Sequence, residues 1–240
     1  MRDAGSGRHP VATLAKKFSK RIAWLRWRLV HGDRRHRLDY PLTRESVVLD
    51  VGGFKGDWAA RLVERFDPWV MIFEPIPEHV AILRARFAKC PKVRVFDYGL
   101  GAGDADLLMN QRGEGSSVLD RGGNAVACRI RDIAAVWKEL SLDNVDLMKV
   151  NIEGAEFDLL PRMFAANLVT RCRDLQIQFH EFFPSAGKLR RSIRRELGRT
   201  HKSTYSFYFI WENWRRTNRS ESVGARENAP EQPRISAGSA

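Results

Sequence analysis

Cysteine is scarce in this chain of 240 residues: there are three, Cys90, Cys128 and Cys172. Their number is odd and their spacing wide, so the sequence holds neither a disulfide framework nor metal-ligand spacing. Reduced thiols fit. No apolar run approaches the roughly 20 residues that span a bilayer. Met1 to Pro10 holds no secretory hydrophobic segment, and the expected location is the cytoplasm. No internal repeat is visible. Acidic residues are also short: 29 Asp/Glu stand against 41 Lys/Arg, a formal charge of +12. The excess sits in two flanks. Residues 1–40 carry 11 Lys/Arg against 3 Asp/Glu, and residues 186–219 carry 10 against 2, which leaves the centre slightly acidic. Basic flanks can hold an anionic polymer, an acidic membrane or an anionic acceptor; they can equally be solvated faces.

What is there reads as one domain with extensions. The chain is 43% hydrophobic and 29% charged, and long enough for a core that needs no covalent staples. Residues 1–10 are expected to be disordered, as are residues 217–240, rich in Ser, Asn, Glu, Pro and Gly. Between Val11 and Val30, Leu14, Phe18, Ile22, Leu25 and Leu29 recur at helical spacing with Lys and Arg among them. This basic amphipathic helix is expected to pack its apolar stripe on the domain, with peripheral contact to a membrane surface as the alternative. His31 to Asp39 is an Arg-rich connector. The domain division is therefore 1–45, 46–216 and 217–240.

From Ser46 onward, short apolar strands alternate with helices. Strands are expected at Val47–Val51, Trp69–Phe73, Val93–Tyr98, Val145–Val150, Asp174–Phe179 and Ser203–Ile210. Helices are expected at Asp57–Phe66, Pro77–Lys89, Arg131–Leu140, Glu153–Phe164 and Ala186–Gly198. Ala105–Asn110 and Ser116–Leu119, split by glycines, suggest a hairpin. Such alternation predicts an α/β fold with a mainly parallel sheet and helices on both faces.

The stretch Val47-Val48-Leu49-Asp50-Val51-Gly52-Gly53-Phe54-Lys55-Gly56 carries the functional signal. An apolar strand reaches an acid, then three glycines, then a helix whose free N–H groups can face a ligand. A dinucleotide fingerprint needs its first glycine at position 51, where valine stands, so the pyrophosphate reading fails. S-adenosylmethionine fits better. Asp50 suits its amino group, the helix N-terminus suits its carboxylate, and Glu74, ending the second strand, suits two ribose hydroxyls. The competing reading is a structural turn with a solvated Glu74.

The sequence resembles the FkbM-type S-adenosylmethionine-dependent methyltransferases. The matching residues are Val48-Leu49-Asp50-Val51-Gly52-Gly53-x-x-Gly56-Asp57, Phe73-Glu74-Pro75-x-Pro77, Tyr98-Gly99-Leu100, Ser116-Ser117 and Leu147-Met148-Lys149-Val150-Asn151-Ile152-Glu153-Gly154-Ala155-Glu156. The resemblance covers residues 46 to 182 and more loosely extends to Arg216. It implies a Rossmann-like class I methyltransferase fold with a seven-stranded sheet, and transfer to a hydroxyl oxygen of a sugar, glycan or natural product. It also implies cofactor contacts at Asp50, Gly52 and Glu74, and Gly53, Gly56, Gly99 and Asn151 are expected to join them. Asn151 stands where the family commonly has Asp. Neutral Asn is a weaker ligand for a hard cation, so no metal is expected. Asn151 also suits a helix N-cap, and Glu153 and Glu156 suit a helix N-terminus.

Methyl transfer to an alcohol is helped by a base at the carboxyl end of a strand. His180, after Leu175-Gln176-Ile177-Gln178-Phe179, is one candidate, oriented by a neighbouring acid such as Glu181. Glu153 is the other. Ser116 and Ser117 belong either to a lid or to a turn. The basic helix with Lys188, Arg190, Arg191, Arg194 and Arg195 either meets an acidic substrate or is solvated. Trp211-Glu212-Asn213-Trp214-Arg215-Arg216 offers stacking on a sugar or base, or packing of the last strand. Two further functions compete. A nucleic-acid methyltransferase would use the +12 charge, although no Asn-Pro-Pro-Tyr motif for an extruded base is present. A non-catalytic protein of this fold would use the basic N-terminal helix to dock on a membrane or a partner.

Overall fold

The computed structural model describes residues 10–110 and 125–217. The expected disorder of residues 1–9 and 218–240 lies outside the described residues, as do Ser116 and Ser117. The main sheet has seven strands: β1 (Val47–Val51), β2 (Trp69–Phe73), β3 (Val93–Phe96), β7 (Val145–Val150), β8 (Cys172–Ile177), β9 (His201–Phe207) and β10 (Trp211–Arg216). Their order is β3-β2-β1-β7-β8-β10-β9. β1, β2, β3, β7 and β8 run parallel, and β10 is antiparallel to both β8 and β9. This is the mainly parallel α/β sheet that the alternation predicts and the Rossmann-like fold that the family resemblance implies.

Helices cover both faces because alternate strand residues turn opposite ways. Val48, Val70, Ile72 and Leu147 pack with Trp58 and Leu62 of α3 (Asp57–Phe66) and with Leu83 of α4 (Pro77–Arg86). Leu49, Val51, Met148 and Val150 face the other way. They meet Val136 of α5 (Ile133–Glu139), Leu160 of α6 (Glu156–Ala165) and Ile193 of α7 (Ala186–Leu197). The connector, which holds the short helix α2 (Gly32–Arg35), leads into Tyr40 and Leu42, both buried in this core.

Several expectations need correction. The partner of β5 (Ala105–Asn110) is β6 (Ala125–Asp132), and together with β4 (Gly99–Gly101) they form a separate three-stranded sheet. The arm expected at Ser116–Leu119 lies outside the described residues. Arg131 is in β6, and α5 begins two residues later because Asp132 caps it, accepting from Ala134 N at 2.6 Å and Ala135 N at 3.3 Å. The helix expected from Glu153 begins at Glu156: Glu153 (φ +51°) and Gly154 (φ +106°) are left-handed and cannot continue a right-handed helix. Asn151 is consequently too far upstream to cap it; the N-cap is Ala155. The series closes not at Ile210 but with β10, whose Trp211 and Trp214 are buried.

The last correction concerns α1 (Pro10–Leu29). Ala23 and Trp27 face the domain, and Trp27 meets Phe207 edge-on at 5.1 Å and Tyr205 at 6.0 Å. Of the apolar stripe expected to pack there, Phe18, Ile22, Leu25 and Leu29 are exposed, and the Leu14 side chain lies outside the described ones. One aromatic anchor on β9 decides the rotation of the helix against its own periodicity. Among the described residues no helix is long and apolar enough to cross a membrane.

Candidate active site

The strand order reverses between β1 and β7, and a cleft of about 1740 Å³ opens there at the carboxyl ends of the strands. Its walls follow from the topology: Gly52 and Gly53 come after β1, Glu74 after β2, Asn151 and Glu153 after β7, and His180 after β8.

Below the cleft lies a buried ion pair. Asp50 and Lys149 are register partners on β1 and β7, and Lys149 Nζ donates to Asp50 Oδ1 at 2.6 Å and to Gly52 O at 2.9 Å. The Asp50 side chain is 0% exposed and that of Lys149 5%. Burial pushes the Asp50 carboxyl above the usual carboxylate range, opposed by the ammonium beside it. Burial likewise pushes Lys149 below its usual value. Asp50 does not line the cleft, whereas Lys149 does. The sequence expectation places Asp50 in contact with a ligand; in the structure its carboxylate pairs with Lys149, and Lys149 is the member of the pair at the cleft wall.

The glycines divide similarly. Gly52, Gly53 and Gly99 line the cleft, and Gly56 does not. Gly56 (φ +81°) precedes α3, and a Cβ there would stand 2.8 Å from both Leu83 and Phe87, so its role is close packing against α4. Glu74 is buried at the cleft wall. Its Oε2 accepts from Phe54 N at 2.8 Å and its Oε1 from Ile76 N at 3.0 Å, with His79 Nδ1 at 3.4 Å. It thereby fixes the glycine loop and is not a solvated strand end. Carboxylate oxygens have further lone pairs, so both can accept a ligand hydroxyl as well. Asn151 adds a buried Oδ1 with no hydrogen-bond partner among the described residues. An orphan acceptor on a cleft wall is a place for a donor to bind.

Across the cleft, β8 has ended before His180, so residues 180 and 181 are free of strand alternation. His180 is oriented by Glu156 and not by Glu181. Glu156 Oε1 accepts from His180 N at 2.7 Å and lies 3.2 Å from Nδ1; Oε2 accepts from Gly154 N at 2.8 Å. An ionised carboxylate only accepts, so Glu156 selects the tautomer with its proton on Nδ1. Nε2 is left facing Glu153 Oε1 at 3.6 Å, too far for a hydrogen bond. Phe182 stacks on the imidazole at 5.2 Å. Burial raises the Glu153 carboxyl above its usual value, with His180 opposing. Both candidate bases therefore meet at one point. The role of Glu156 has no local signal, because its partner is 24 residues away.

The C-terminal basic residues are partly consumed inside the fold. Arg190 is buried, donates to Glu212 Oε1 at 3.1 Å and lies against Tyr208 and Phe209; Arg194 also pairs with Glu212. Trp211 lines the cleft with Arg37 stacked on it at 4.2 Å, and Trp214 packs in the core.

Residues 50–207, about two thirds of the chain, match the family profile described as the methyltransferase FkbM domain. A curated relative, the AMB antimetabolite synthetase AmbE of Pseudomonas aeruginosa, is 27% identical over a match covering 67% of this chain and 10% of that protein. The chain thus spans about a tenth of the curated relative it matches. Among solved structures, a fibrillarin pre-rRNA processing protein of Methanococcus jannaschii is 9% identical, with a TM-score of 0.47 over 73% of this chain and 68% of that one. A putative rRNA methylase from Clostridium thermocellum is 8% identical, with a TM-score of 0.47 over 74% and 90%. Likeness that weak does not bear on what this chain acts on.

Two predictions follow from the geometry of the site. Lys149→Met leaves a buried carboxylate alone and is expected to cost about 3–5 kcal/mol in urea unfolding, most of it recovered when Asp50→Leu is added. Unfolding of Lys149→Met at the wild-type midpoint would refute the paired burial. Glu153 has a raised folded-state pKa, so its contribution to stability is present below its unfolded pKa and lost as pH rises through the folded value. Glu153→Gln should therefore melt above wild type at pH 8, with the gap closing as pH falls below the ordinary glutamate range. A gap that widens on acidification would contradict the burial argument.

Proposed function

The chain belongs to the FkbM methyltransferase family, and on that premise we propose that it moves a methyl group from S-adenosylmethionine to a hydroxyl oxygen of a sugar, glycan or natural product. The observation that carries the oxygen acceptor is His180, fixed by Glu156 and facing Glu153 across a 3.6 Å gap at the cleft wall.

The other wall suits the methyl donor. The orphan Oδ1 of Asn151 fits an ammonium group, the start of α3 beside Gly52 and Gly53 fits a carboxylate, and the remaining lone pairs of Glu74 fit ribose hydroxyls. The cleft of about 1740 Å³ exceeds the roughly 300–1000 Å³ of a typical small-molecule site, which leaves room for an acceptor. When bound, S-adenosylmethionine supplies a methyl carbon that an oxygen lone pair attacks as the carbon–sulfur pair withdraws to sulfur. His180 Nε2 removes the hydroxyl proton as that bond forms. Glu156 stabilises the resulting imidazolium through Nδ1–H, and the Glu153 carboxylate, 3.6 Å from Nε2, adds charge stabilisation without a hydrogen bond. Phe182 shields one face of the ring from water.

Two of the basic residues have a role that needs no nucleic acid, because Arg190 and Arg194 are held by Glu212. Its test is transfer of labelled methyl from S-adenosylmethionine into a fractionated extract of the source cells, with the labelled product identified. On that acceptor His180→Ala is expected to lower turnover about 10²–10⁴-fold while donor binding persists. Full turnover by His180→Ala with loss in Glu153→Gln would move the base to Glu153. Full turnover by both would overturn base catalysis at this wall, and label entering RNA alone would overturn the acceptor class.

A further inference from the structure

The exposed stripe of α1 has no role in the fold or in the reaction. Phe18 (69% exposed), Ile22 (48%), Leu25 (55%) and Leu29 (70%) lie at helical spacing on the side opposite Ala23 and Trp27. Normally such a stripe is the buried face of an amphipathic helix. Here the helix is anchored through its other side, so the apolar face points away from the domain.

The charge beside the stripe argues for one kind of surface. The helix Pro10–Leu29 contains six Lys/Arg and no Asp or Glu. At 100° per residue, Arg21 and Arg28 fall along one border of the stripe and Arg26 along the other, all exposed. Arg28 also lies over the ring of Trp24, itself half exposed, at 4.8 Å. An apolar strip bordered by cations, with an aromatic at the edge, matches the depth profile of a lipid interface: acyl chains below, anionic headgroups level with the guanidinium groups. The rim carries charge of one sign only, which anionic headgroups meet along its whole length. With six charges among 20 residues, it lies on a bilayer and cannot span it.

We infer that α1 docks the protein on an anionic lipid surface, with Phe18, Ile22, Leu25 and Leu29 inserted and Arg21, Arg26 and Arg28 at the headgroups. This assignment does not depend on the methyl-transfer reading. It does locate the surface near the cleft, since Lys20, Arg21 and Trp24 share a shallow pocket of about 290 Å³ with Glu181, next to His180.

The test is co-sedimentation of the full chain with phosphatidylcholine vesicles, with and without about one third phosphatidylserine. Binding is expected to the anionic vesicles and not to the neutral ones, and to weaken as salt rises. Ile22→Glu with Leu25→Glu should reduce partitioning more than about tenfold, and Arg21→Glu with Arg26→Glu should do the same. Both pairs are exposed, so the melting temperature should stay at the wild-type value. Equal recovery of wild type in the supernatant with both vesicles would overturn the inference. So would vesicle binding by the Ile22→Glu, Leu25→Glu chain at the wild-type level, or a vesicle-free dimer that this pair dissolves, which would assign the stripe to a second copy.

Discussion

The cleft depends on one buried contact, the ion pair between Asp50 and Lys149. Neighbouring parallel strands share a register at these two residues, and both side chains leave the sheet on the face covered by α3. Taking two charges out of water is costly, and the cost is offset only when they meet. The pair therefore penalises any slip of β1 against β7. The same ammonium also holds Gly52 O, so the loop after β1 is fixed from below by β7. A Cβ at Gly52 would stand 2.0 Å from Asn151 O. The two strand-end loops thus touch backbone to backbone, which leaves the Asn151 side chain at the cleft.

Above that floor the acidic residues have separate tasks. Glu74 fixes the loop between β1 and α3 and still offers lone pairs to the cleft. Glu156 is fully enclosed and holds the backbone and ring of His180 together. Glu153 is partly exposed and faces the other ring nitrogen. Its left-handed backbone, with that of Gly154, delays the start of α6 and brings the residues between β7 and α6 to the cleft. A backbone conformation that ordinary residues avoid is maintained here by Glu156, which accepts from Gly154 N–H.

Local features were legible in the sequence and long-range ones were not. The β1–loop–α3 unit, Glu74 and the parallel sheet follow from glycine spacing and from apolar runs. The segment Lys149–Glu156 carried the family, but it did not reveal that Lys149 serves Asp50, because 99 residues separate them. The helix start at Glu156 was misplaced because left-handed φ at a non-glycine residue leaves little trace in composition. The pairing of β5 with β6 spans residues whose spacing gives no register. The orientation of α1 was inverted for a related reason: periodicity identifies an apolar stripe, but the stripe's partner is a tertiary fact. Trp27, packed against Tyr205 and Phe207 of β9, outweighs it.

The central claim is that these walls form a methyl-donor site built on the Asp50–Lys149 floor. Thermal unfolding of the full chain with and without saturating S-adenosylmethionine tests it most directly, because a ligand that binds only the folded state raises the midpoint. The account predicts a rise that grows with donor concentration and is much reduced in Asn151→Ala. An unchanged midpoint at saturating donor would contradict it.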